Sequence, residues 1–84
     1  MIEPDELYGL LARKPFQPIR LYVNDKRTID ITDRQLAVVG VDYVDVGIQA
    51  EGELPGICDH VVMIPLIDVA KVEDLQAALT SANS

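Results

Sequence analysis

Scarcities bound this 84-residue chain before any pattern does. A single cysteine excludes an internal disulfide, a staple that a secreted domain of this length would ordinarily need. A single histidine leaves a zinc site short of ligands, since such sites draw three or four from one cluster. No apolar run approaches the roughly 18 residues that span a bilayer. The acidic start Met1-Ile2-Glu3-Pro4-Asp5-Glu6 lacks the basic opening and long apolar core of an export signal. These absences point to the cytoplasm, with no membrane partner. Basic residues also run out early. Residues 1–34 balance six bases against six acids, whereas residues 35–84 hold only Lys71 against eight acids, and the net charge is −7. Such a balance repels phosphate backbones and disfavours nucleic acid. A Gly-rich phosphate loop, a serine elbow and a His-Glu-x-x-His pattern are all missing, so no cofactor is implied and the chain reads as noncatalytic.

What is present suits one small packed domain. Hydrophobic residues make up 49% of the chain, enough for a core, and the length allows only one. Pro4 fits the first helical position, and Asp5 and Glu6 sit at the positive end of the helix dipole. Leu7, Leu10 and Leu11 form an apolar stripe, with Ile2 stapled back onto Leu7. Arg13 and Lys14 are expected in the last turn, before Pro15 stops the helix. Ile19, Leu21 and Val23 then alternate with polar residues, as do Ile29 and Ile31 beyond an Asn24-Asp25 turn, which predicts a hairpin. A polar corner over residues 32–35 precedes a brief apolar run, Leu36 to Val39. Strands follow over Tyr43 to Gln49, Asp59 to Ile64 and Val69 to Glu73, with Pro65 marking an edge or corner. Asp74 is placed to cap a last helix carrying Leu75, Ala78 and Leu79. No helix crosses over between strands, so the sheet should be antiparallel. The expected fold class is α+β: a small, strongly bent antiparallel sheet, or an SH3/Sm-like partly open barrel, of five or six strands, with an N-terminal helix and a short C-terminal one. Residues 1–79 form the single domain and residues 80–84 a frayed tail.

The stretch Leu10-Leu11-Ala12-Arg13-Lys14-Pro15-Phe16-Gln17-Pro18-Ile19-Arg20-Leu21 resembles the opening of a family of short uncharacterised proteins common in planctomycete bacteria. That family has a leucine-rich helix, a Pro-Phe-x-Pro-[Phe/Ile]-Arg segment and an Asp-Gly-Arg turn. It closes on a Val-x-x-Ile/Val-Glu strand, which Val69-Ala70-Lys71-Val72-Glu73 matches. The chain departs at Lys26, where the family has glycine, and at Asp33, where it often has His-Pro. The resemblance implies no activity. In shape, a helix followed by short bent strands is similar to the Sm-like and SH3-like small barrels. Ile19 to Asp25 resembles the first hairpin of Sm-like RNA chaperones, but their bending glycine and their basic closing motif are absent.

Several residues are candidates for function. Cys58 and His60 would share one face of a strand, and only carboxylates such as Asp42, Asp45 or Glu51 stand ready to complete a metal site with them; otherwise they are a small thiol beside a partly exposed imidazole. His60 has the proton affinity of a general base, yet Asp59 should point to the opposite face of the strand and leave it unoriented. Arg13, Lys14, Arg20 and Arg27, with Tyr22 and Phe16 nearby, would form a basic, aromatic patch in which Arg20 and Tyr22 share the outward face of their strand, unless Asp30 or Asp25 pairs with it across the hairpin. The loop over residues 50–57 holds Glu51 and Glu53, and its acidity suits a basic partner. Together these features predict a binding or assembly module that works through protein–protein contacts, with another protein or with itself through a free sheet edge. A nucleic-acid-binding Sm-like small barrel is the alternative.

Overall fold

In the computed structural model, which describes residues 2–49, 52, 54 and 57–82, the chain begins with helix α1 (Pro4–Leu11). Pro4 holds its first position, and the Leu7 amide donates to the Glu3 carbonyl at 3.1 Å. Ile2, Leu7 and Leu11 are all buried, as expected of a stapled apolar stripe. The helix is shorter than the spacing predicts. It stops at Leu11, so Arg13 and Lys14 lie beyond it rather than in its last turn. Arg13 accounts for the early stop: its Nε donates to the Leu10 carbonyl at 3.0 Å, satisfying an acceptor that another helical turn would otherwise have used.

Strands β1 (Ile19–Val23) and β2 (Thr28–Ile31) form the expected hairpin, with Ile19, Leu21, Val23 and Ile31 buried. Their turn is a three-residue loop. The Lys26 amide donates to the Val23 carbonyl, and the Val23 amide to the Arg27 carbonyl, each at 2.9 Å. Lys26 itself takes a φ of 73°, the left-handed region that favours glycine. A side chain costs about 1–2 kcal/mol there, of which glycine gives back about 0.5–1 kcal/mol through its freer unfolded chain. Lys26→Gly is therefore expected to stabilise the protein by about 0.5–1 kcal/mol. Urea titration checks this, and an unchanged or lower midpoint would refute the strain.

Asp33 folds the polar corner by accepting the Gln35 amide at 2.9 Å, which starts a 3-10 turn (Arg34–Leu36). Strands β3 (Ala37–Val39), β4 (Tyr43–Gln49) and β5 (Cys58–Pro65) follow. A second 3-10 turn (Leu66–Asp68) leads to β6 (Val69–Asp74), and helix α2 (Leu75–Ala82) ends the described chain, reaching past Leu79. The architecture is α+β, with two three-stranded antiparallel sheets ordered β2-β1-β6 and β3-β4-β5. Their inward residues join Ile2, Leu7 and Leu11 in one apolar cluster, with Phe16 packed against it. No helix among the described residues is long and apolar enough to cross a membrane.

Candidate interaction surface

Strand alternation puts Arg20 and Tyr22 on the outer face of β1, and the neighbouring strands answer both. Asp30 lies directly across from Arg20 and accepts from its Nε at 2.8 Å and from its Nη2 at 3.2 Å. This fork-on-carboxylate pair holds the guanidinium's proton more tightly than usual. On the other side, the Tyr22 hydroxyl donates to Glu73 Oε1 at 2.7 Å, which raises the phenol's pKa above its ordinary value. Lys71, opposite Tyr22, sets its ammonium 5.2 Å from the ring centroid and 3.7 Å from Glu73. The outer face of the first sheet is thus a mixed-charge array whose members neutralise one another.

Arg27 stands in the adjoining turn. Its backbone N–H donates to Asp25 Oδ1 at 3.0 Å and its Nε to Oδ2 at 2.6 Å. The backbone bond first, then the guanidinium, draws the Asp25 carboxyl below its usual pKa. Arg13 likewise donates to Asp74 Oδ1 at 2.8 Å. Glu51 and Glu53 lie outside the described residues.

His60 is on the other sheet, and two expectations about it need correcting. The register slips between β4 and β5: Ile48 opposes His60, but Gln49 opposes Cys58. The extra residue is Asp59. A bulge of this kind reorients side chains, so Cys58 faces outward with Gln49 while His60 takes the side of Ile48, and the two do not share a face. The same bulge brings Asp59 Oδ2 to 3.2 Å from His60 Nδ1, although simple alternation sends the pair apart. Both side chains are exposed. Among the described residues, no group of three or more His, Cys, Asp or Glu gathers as a metal site would require.

The outer face of the second sheet was not singled out by the residue pattern. Across its three strands Val38, Asp45 and Met63 stand in one row, and Gly47 and Val61 are opposed in the next. Val38, Val61 and Met63 are 65%, 60% and 61% exposed. Leu36 is buried outside the main cluster and covers Gly47 from this side: a Cβ on that glycine would lie 3.3 Å from Leu36 Cδ2 and 3.1 Å from Cys58 Cβ. Asp45 Oδ1 is shut off from water and has no hydrogen-bond partner. The signal for this surface was the unbroken apolar run Val61-Val62-Met63-Ile64, which fills both faces of one strand.

Comparison with protein-family models, with curated proteins and with solved structures finds no match for this chain.

Proposed function

We propose that this chain is a noncatalytic binding and assembly module that acts through protein–protein contacts, and that it pairs with a second copy of itself along β5. The observation that carries this reading is the edge itself. Among the described residues, the second sheet ends at an eight-residue strand whose half from Val61 to Ile64 is apolar, with Val61 and Met63 exposed upon it. A free strand edge of that length is a template for another strand.

Symmetry narrows the pairing. A two-fold axis perpendicular to the sheet maps outward residues onto outward residues, so only registers of matching parity are allowed. The register centred on Val61 uses nearly the whole strand. It sets Val61 against its own copy and His60 against Val62, and it leaves the two Asp59 bulges on opposite sides of the axis. The outer apolar faces of the two copies then run into one another.

The finer architecture on this reading is a partly open barrel of the small SH3/Sm-like type. Supporting it, single 3-10 turns join β2 to β3 and β5 to β6, and both sheets feed one core. Cytoplasmic action is in keeping with the single free Cys58. The nucleic-acid alternative has less support, because Arg13, Arg20 and Arg27 are each bonded to a carboxylate.

Light scattering coupled to gel filtration tests the pairing. The expected mass is twice the 9.2 kDa of the chain, and Val61→Lys, which places like charges at the two-fold axis, should weaken association by about tenfold while leaving the circular dichroism spectrum intact. A monomeric mass at high micromolar concentration would overturn it.

A further inference from the structure

Asp45 is a carboxylate in apolar company. Its cross-strand neighbours are Val38 and Met63, both exposed, and one of its oxygens is shielded without a partner. A carboxylate that has lost part of its hydration without gaining a hydrogen bond raises the free energy of the protein, and a cation that meets the group through its other oxygen offsets part of that cost. The sheet holds no such cation: residues 35–70 contain neither lysine nor arginine. His60 lies on the side of Ile48, facing away. Arg13, Arg20 and Arg27 are bonded to Asp74, Asp30 and Asp25. Beside the carboxylate lies a shallow hollow of about 180 Å³, lined by Leu36, Val38, Gly47, Cys58 and Val61.

We propose that the outer face of the β3-β4-β5 sheet is a docking site for another protein's segment in which an arginine is flanked by apolar residues, with Asp45 as the counter-charge. This rests on the reading of the chain as a protein-contact module and adds the chemistry of a partner. The match is of shape as well as sign. The aliphatic stem of an arginine lies along Val38 or Met63 while its planar head meets the carboxylate, and a neighbouring apolar side chain fills the hollow beside Leu36 and Val61. Burial of the surrounding methyl groups then removes water from the ion pair and strengthens it. The chain's overall charge of −7 favours approach of a basic segment.

The probe is n-butylguanidinium, which joins an apolar stem to the cation, titrated into the full chain and followed by amide NMR. Saturable shifts are expected at Val38, Asp45, Gly47, Val61 and Met63. Guanidinium alone and n-butanol alone should each bind at least tenfold more weakly. Asp45→Asn should raise the half-saturation concentration at least tenfold. Val38→Lys, which supplies an internal ammonium directly across from Asp45, should do the same without removing the carboxylate. Shifts that centre elsewhere, or that persist unchanged in both variants, would overturn the proposal. So would a fall in the mass of Asp45→Asn by light scattering, which would make a second copy the occupant. A normal dimer mass with no probe binding rejects the arginine site alone, whereas a monomeric wild type rejects the self-pairing instead.

Discussion

Leu21→Ala is expected to destabilise the protein by about 3–4 kcal/mol. Leu21 is fully buried in the middle of β1, the central strand of the first sheet, with Ile29 on one side and Val72 on the other. It belongs to the cluster that also takes in α1 and the second sheet, so the cavity left by truncation is walled by several elements. A wall made by both sheets and a helix collapses poorly, which places the site toward the costly end of leucine truncations. A chain of 84 residues has a total stability of about 4–13 kcal/mol, so this one change removes a large share of it. The melting temperature should fall by roughly 15–30 °C. Thermal and urea unfolding followed by circular dichroism measure it. A loss below about 1 kcal/mol would mean that Leu21 does not sit where the two sheets meet.

Leu21 was legible as a core residue from the sequence because β1 alternates cleanly, with Arg20 and Tyr22 between its buried residues. The same period found β4, whose inward Val44, Val46 and Ile48 alternate with Tyr43, Asp45, Gly47 and Gln49. Where one face is apolar and the other polar, register follows from burial alone. Strand β5 breaks that condition. Val61-Val62-Met63-Ile64 is apolar on both sides, so alternation does not announce which residues face out, and the extra residue at Asp59 leaves no mark in composition. Alternation alone therefore puts Cys58 and His60 on one face and sends Asp59 away from His60, and the bulge overrides both. The end of α1 departs from the pattern for a different reason. Pro15 limits how far a helix can run but does not require it to run that far, and the Arg13 side chain closes the helix a turn earlier. Pairing between Arg20 and Asp30 was foreseeable from hairpin register; the Tyr22–Glu73 bond joins residues 51 positions apart and needs the fold.

Asp45 was equally invisible, because its environment depends on β3 and β5 flanking it with Val38 and Met63. That environment sets up the second large effect: Asp45→Val is expected to stabilise the protein by about 2 kcal/mol. Three contributions share the sign. An oxygen buried without a partner is removed, for which the relief is about 1–3 kcal/mol. A β-branched residue replaces one poorly suited to a central strand. The new methyl groups meet Val38 and Met63 across both ladders. Natural sequences leave such gains untaken where the destabilising group has a use, and here the same substitution should abolish saturable binding of n-butylguanidinium. Urea unfolding of the variant measures the first effect and the amide titration the second. If Asp45→Val instead lowers stability, the carboxylate supports the fold itself and its apolar surroundings are not evidence of a docking site. A gain in stability with binding intact would place the cation at another carboxylate. Only the gain together with the loss of binding fits a charge kept at a cost to stability for the sake of a partner.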